Sequence, residues 1–226
     1  MQYYNLKVVT SLKQDIKSEE SYEKISKLIS GSMLHDENLK EIHEKNEYKN
    51  YVFCNLYPIE KDGIYKAGHI YTFDIRFINL QDAMKIKQFL NIIQNSDFKV
   101  IMSNLETSTQ RKINKLKTLT PAIITTEKGD YLINNDLELV KQRILANTQK
   151  KYNQIYNEKI DMDFIKEIKQ TNNKPIKIPY KNIHILGNKF EITVKDDPIS
   201  QNLAYLVLSI GMLEKNAEGF GFCKAI

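Results

Sequence analysis

Residues 71–77 read Tyr71-Thr72-Phe73-Asp74-Ile75-Arg76-Phe77, a strict alternation of large apolar and polar side chains. Successive residues of a strand point to opposite faces, so the four apolar groups line one face and Thr72, Asp74 and Arg76 the other. Working outward, Lys61-Asp62-Gly63 reads as the turn before this strand, and residues 51–57 as the strand before that turn. After it, residues 80–93 form a helix with Leu80, Met84, Leu90 and Ile93 along one side, and residues 98–105 a closing strand. Ahead of the pair, a strand over residues 3–12 leads to a helix opened by Glu19 and Glu20. Its apolar residues Tyr22, Ile25, Leu28 and Ile29 recur at helical spacing, and it is expected to end at Gly31. A short helix over residues 36–45, with Leu39 and Ile42 inward, completes a β-α-β-β-α-β unit.

The pattern recurs. A strand over residues 119–126, a turn at Lys128-Gly129-Asp130 and a long helix from about Asn135 to Tyr156 open a second unit. Strands over residues 174–186 and 189–195 follow, with Gly187-Asn188 suited to a II′ turn between them. Pro198 falls in the first turn of the last helix, behind Asp196 and Asp197 as capping candidates. The polar segment 106–117 is the expected junction. The fold class is therefore α+β, two tandem ferredoxin-like (βαββαβ) domains over residues 1–110 and 111–226.

With 226 residues the chain has material for a sizeable core. Lys and Arg number 33 against 28 Asp and Glu, a net charge of +5 that permits a polyanionic partner without requiring one. Cys54 and Cys223 are far apart, and no CxxC or His/Cys ligand spacing accompanies them, so neither a disulfide framework nor a zinc site is indicated. The opening residues lack the apolar run of a signal peptide, and no later run is long enough to span a membrane. A cytoplasmic protein without a cofactor is expected.

The last helix carries an apolar run over residues 203–210 and stops at Gly211. It is followed by Met212-Leu213-Glu214-Lys215-Asn216-Ala217-Glu218-Gly219-Phe220-Gly221-Phe222-Cys223. Glycines around a short polar loop admit positive φ and close approach to the main chain. Successive exposed amides in such a loop suit phosphate oxygens; the plainer reading is a C-cap glycine and a final strand. This string resembles the glycine-rich signature of the RAMP-superfamily endoribonucleases of the Cas-six type, which cut CRISPR repeat transcripts. There a glycine precedes a stretch usually containing Glu-Lys-Asn, then Gly-Phe-Gly; here these are Gly211, Glu214-Lys215-Asn216 and Gly219-Phe220-Gly221. The family also adopts tandem ferredoxin-like domains.

A second matching stretch lies at residues 42–56. His43 stands at the border between buried and exposed faces of its short helix, and Lys49 follows six residues later. A chain that breaks its helix over residues 46–50 folds back and brings Lys49 towards His43. Histidine suits proton transfer near neutral pH, and lysine suits a point charge on a phosphate oxygen. In isolation such a pair is most often just surface. The resemblance implies more: a histidine after the first helix, then a lysine and an aromatic strand, matched by His43, Lys49 and Tyr51-Val52-Phe53. Some members add a tyrosine from the first helix; Leu28 occupies that position here, with Tyr22 and Tyr48 as substitutes. His35 is the runner-up histidine, while His69 and His184 read as strand residues.

The resemblance implies a metal-independent endoribonuclease that cleaves CRISPR repeat RNA in precursor transcripts to give guide crRNAs. Attack by a 2′-hydroxyl would leave a 2′,3′-cyclic phosphate and a 5′-hydroxyl, with His43 and Lys49 catalytic. Gly211, Lys215, Asn216, Gly219 and Gly221 would bind the RNA. The alternative is a non-catalytic repeat-RNA-binding subunit of a CRISPR effector complex. Effector subunits and a second copy of the chain are the protein partners considered. Basic residues at 111, 112, 115, 117, 141, 143, 150, 151, 174, 177 and 181, with Tyr180 among them, are the candidate phosphate track.

Overall fold

The computed structural model describes residues 2–45, 47–109, 111–126, 129–130 and 136–226. The expectations for Asn46, Gln110, Lys128 and Asn135 lie outside the described residues. The first sheet runs, across its width, Tyr51–Phe53, Ile70–Phe77, Gln2–Leu12, Phe98–Thr109, with every neighbour antiparallel. Tyr71, Phe73, Ile75 and Phe77 all turn to one buried face, as their alternation requires, together with Leu6, Val8 and Leu12. Helices α1 (Ser21–Met33) and α3 (Leu80–Leu90) cover that face through Ile25, Leu28 and Ile29, and through Ala83, Ile86 and Leu90. Between α1 and the second strand lies α2 (Glu37–Glu44), whose first turn is capped by the Asp36 carboxylate accepting from the Leu39 amide at 3.1 Å.

The second sheet repeats the order: Ile165–Gln170, Phe190–Val194, Lys115–Thr118, Cys223–Ala225, again antiparallel. Its helices are α4 (Leu137–Tyr156) and α5 (Pro198–Ile210). Both sheets thus have the 2-3-1-4 strand order of a βαββαβ unit, and the fold is tandem ferredoxin-like. No helix among the described residues is long and apolar enough to cross a membrane.

Several elements differ from expectation. Gly31 lies inside α1, not at its end, and the inner face of α3 is Ala83, Ile86 and Leu90, leaving Leu80 and Met84 exposed. The second unit opens with Lys115–Thr118, where Leu116 and Thr118 point in and the lysines out; the apolar run after it stays outside that sheet and makes isolated bridges, Ala122 to Asn188 and Ile123 to Glu214. Ile165–Gln170 is a strand with almost no apolar signal because it is an edge. Residues 174–186 are not one strand. Ile176–Tyr180 and Ile183–Gly187 form a hairpin, turned at Lys181 with φ 53°, while Gly187-Asn188 leads out of it and Asn188 pairs with Ala122. Of the two aspartates before Pro198, Asp197 caps α5 and Asp196 pairs with Lys112 at 3.2 Å.

The two units are bolted together by polar contacts through an otherwise apolar seam. From the open face of the first sheet, Arg76 donates to the carbonyls of Leu208 (2.9 Å) and Cys223 (2.7 Å) and lies 4.0 Å over the Phe222 ring. Helix α5 touches strands of both sheets, and Ser200, Gln201 and every residue from Leu203 to Ile210 are buried, so its apolar character all round is what the site demands.

The segment after α5 packs into this seam. Gly219 has φ 92°, and a Cβ there would stand 2.6 Å from the Phe53 ring and 2.9 Å from that of Tyr22. Gly221 has φ 72°, and a Cβ would stand 2.0 Å from the Met212 carbonyl. Lys151 of α4 is buried and donates to the carbonyls of Gly211 (2.9 Å) and Leu213 (2.7 Å) and to Asn216 Oδ1 (2.6 Å). The Asn216 amide in turn donates to the Met212 and Phe220 carbonyls. Burial pulls the Lys151 ammonium from its ordinary 10.5 down to about 7, against the opposing charges of Cys223 and Glu214.

Gly221→Ala is expected to destabilise the fold severely, since strain and overpacking cost about 1–3 kcal/mol each. Gly68→Ala, where φ is 78° but nothing lies within 4 Å, is expected to lose only the strain, about 1–2 kcal/mol; urea unfolding of both variants checks the contrast. Lys151 makes a pH-dependent contribution of fixed sign. Between pH 7 and 10.5 the unfolded chain binds the lysine proton and the folded chain does not, so stability rises with pH across that window and the gain is lost as pH falls to 7. The stability of wild type relative to Lys151→Met is therefore expected to rise from pH 7 to pH 10 in urea unfolding; a pH-independent difference would refute the depressed pKa.

Candidate nucleic-acid site

His43 occupies the last turn of α2 and is exposed to solvent. The helix holds to the first core through Leu39, buried to 1% exposure, and the half-buried Ile42. Beyond Lys45 the chain reverses, and the Lys49 ammonium donates to the carbonyls of Ile42 and Lys45 at the end of α2. A cation there faces the negative end of the helix dipole and satisfies carbonyls that have no partner further along the helix. Lys49 thus reaches the turn that carries His43, as the fold-back reading requires. Burial holds its pKa below the ordinary lysine value, against the charge of Glu47. Among the described residues two of the three ammonium N–H bonds are used, which leaves one for an outside acceptor.

The residue before Lys49 is also fixed. The Tyr48 amide donates to Gln154 Oε1 (3.2 Å), Gln154 Nε2 donates to the Tyr48 carbonyl (2.9 Å), and Asn147 Nδ2 donates to the Tyr48 hydroxyl oxygen (3.1 Å). Nothing local in the sequence ties Asn147 or Gln154 to this loop. The only signal is that Asn147, Lys151 and Gln154 share one helix face by spacing.

The glycine-rich loop departs from its expected role in one respect. The amides of Gly211, Met212, Glu214, Gly219 and Gly221 donate to the carbonyls of Val207, Gly221, Ile123, Asn216 and Pro121. They are not free to cradle a phosphate, because the loop uses them to hold its own shape. Gly211, Asn216, Gly219 and Gly221 are buried, whereas Lys215 is half-exposed, with its ammonium 3.5 Å from Glu218. Tyr22 is buried and stacks on Phe220 with centroids 5.4 Å apart, and burial raises its phenol pKa far above 10. Of the basic track, Lys151 is buried under its three acceptors, and Tyr180 is buried with its hydroxyl on Ser26 at 3.1 Å. Lys112, Lys115 and Lys141 are paired with Asp196, Glu191 and Asp163. His35 is exposed with its ring 5.6 Å from that of Phe89, and His69 and His184 are exposed.

Residues 102–225 match the family described as CRISPR associated protein Cas6, C-terminal. Two proteins of Methanocaldococcus jannaschii are similar along most of their length. "CRISPR-associated endoribonuclease Cas6 2" is 26% identical over 98% of this chain and 99% of its own. "CRISPR-associated endoribonuclease Cas6 1" is 29% identical over 80% of this chain and 76% of its own. Among solved structures, one described as "CRISPR associated protein Cas6" superposes with a TM-score of 0.74 at 23% identity, covering 99% of both chains. One described as "An RAMP protein binding different RNA substrates" gives 0.78 at 16% identity, again over 99% of both. The family match takes in the last helix, the buried lysine beneath it and the whole glycine-rich loop, and on that ground this chain belongs to the Cas6 family of CRISPR-associated proteins.

Proposed function

We propose that this protein is an endoribonuclease that cleaves the repeat RNA of precursor CRISPR transcripts, with residues 1–110 supplying the chemistry and 111–226 the glycine-rich loop. The observation that carries the reading is the convergence of Lys49 on the turn of α2 that bears His43, in a chain whose loop matches the family signature. The names of the two M. jannaschii relatives support it.

In this reading a 2′-hydroxyl oxygen attacks the neighbouring phosphorus and the bond from phosphorus to the 5′-oxygen breaks. The hydroxyl proton is removed and the departing 5′-oxygen is protonated, giving a 2′,3′-cyclic phosphate and a 5′-hydroxyl. Exposed His43 takes part in the proton transfers. Lys49 directs its remaining N–H bond at a non-bridging phosphate oxygen while its other two keep it against the helix end. The chemistry proceeds without a metal ion. In the glycine-rich loop, Lys215 presents charge to the RNA, and Gly211, Asn216, Gly219 and Gly221 hold the backbone that presents it.

His43→Ala is expected to abolish cleavage of the source organism's own CRISPR repeat RNA while leaving its affinity nearly unchanged, and His35→Ala to retain most activity. A 2′-deoxy nucleotide before the cut should block cleavage, and a chelator should not slow it. Undiminished cutting by His43→Ala would remove the proposed site, and cleavage of the deoxy substrate would remove the proposed nucleophile. Lys215→Ala is expected to lower the slope of log affinity against log salt by about 0.7, the share of one phosphate contact on a single strand; filter binding across a salt series measures it.

A further inference from the structure

One face of α4 reaches both motifs at once. Asn147, Lys151 and Gln154, spaced i, i+4 and i+7, lie along a single stripe of the helix. On one side the stripe holds the glycine-rich loop through the three bonds of Lys151. On the other it grips Tyr48 in three ways. The Gln154 amide closes on both main-chain groups of Tyr48, as a neighbouring strand would, at 3.2 and 2.9 Å. Asn147 reaches the phenol at 3.1 Å, and the Lys151 ammonium stands 5.6 Å from the ring centroid. Tyr48 is bonded directly to Lys49.

We propose that Tyr48 is a positioning residue for RNA cleavage: clamped by Asn147, Lys151 and Gln154, it fixes the place of Lys49 and His43 relative to the glycine-rich loop. The proposal rests on the reading of His43 and Lys49 as the cleavage residues. The need for such a clamp follows from the first unit itself. Helix α2 has only eight residues and buries only Leu39 fully, so the reversal after it has little packing of its own to hold Lys49. A catalytic group must be held within about 0.5 Å of its working position, and a misplacement of about 1 Å costs on the order of 100-fold in rate. The clamp supplies that constraint from the other unit. Tyr48 is not itself the proton-transfer group, because its half-buried phenol is turned to Asn147. Burial, with the nearby Glu214 charge, raises its pKa and keeps it protonated.

The test uses the full chain, the source organism's repeat RNA, and a temperature at which circular dichroism shows every variant folded. Gln154 is exposed, so Gln154→Ala removes the main-chain clasp without opening the core. At saturating enzyme its single-turnover cleavage is expected to be slower by roughly 10- to 100-fold, with unchanged RNA Kd and thermal midpoint, a pattern that a purely structural role would not give. Tyr48→Phe keeps the clasp and the ring and is expected to lose less. His43→Ala is run beside them. If His43→Ala is inactive while Gln154→Ala cuts at the wild-type rate, the clamp is overturned and the catalytic reading stands. If His43→Ala cuts normally, that reading itself fails. A Gln154→Ala protein that loses affinity but keeps its rate at saturation also overturns the proposal and makes Gln154 an RNA contact.

Discussion

A lysine side-chain nitrogen taken wholly out of water is the constraint around which the C-terminal half is arranged. Burying a polar nitrogen without partners is costly whether it is charged or neutral, so Lys151 is tolerable only because Gly211, Leu213 and Asn216 each offer it an oxygen. That requirement works in both directions. The loop must curl so that two carbonyls and one side-chain amide converge on a single point, and once curled it has no freedom to swing. Asn216 then spends its own N–H bonds on Met212 and Phe220, tying both ends of the curl to its centre. The positive φ values at Gly219 and Gly221 are the backbone's answer to that geometry, and the contacts with Phe53 and Tyr22 carry it across to the first unit.

The same loop therefore belongs to both units. Its glycines admit the aromatic rings of the first unit to within contact of the main chain, and Arg76 reaches back from the first sheet to carbonyls at Leu208 and Cys223 on either side of it. A seam built this way resists sliding, because sliding would strip the Arg76 guanidinium and the Gln154 amide of their partners. Gln201 repeats the device by pairing with both the N–H and the C=O of Ile113, in the manner of Gln154 on Tyr48. Single amide side chains thus stand in for strand neighbours where no strand could run.

Much of this was legible in the sequence and the rest had physical reasons not to be. The alternation at 71–77 and the helical spacing of Ile25, Leu28 and Ile29 predict their faces because one side of each element is buried and the other is not. Where that contrast fades, the sequence misleads. Lys115–Thr118 looks polar because its lysines face outward, Ile165–Gln170 is an edge with little to bury, and the hairpin at 176–187 hides its turn at Lys181, which no glycine marks. The site shows the same division. His43 and Lys49 are picked out by the family resemblance, since by residue type and spacing alone such a pair is ordinary surface. Tyr48 and Gln154 lie 106 residues apart, and nothing local predicts that an amide will find a distant main chain.

The loop's glycines show how one sequence pattern can answer two structural needs. Glycine near a phosphate site and glycine in a tight internal turn leave the same mark on a sequence, since both need a backbone without a Cβ. The two are told apart by where the amides point, and here they point inward, to Val207, Ile123, Asn216 and Pro121. With those amides turned inward, the residues this loop leaves half-exposed are Glu214, Lys215, Ala217 and Glu218, and Lys215 is the one cation among them. Rigidity is then the useful product of the buried lysine. A surface histidine on an eight-residue helix and a lysine in the segment after it gain little order from their own packing, whereas a seam pinned by Lys151 and Arg76 gives them a fixed frame to be anchored against.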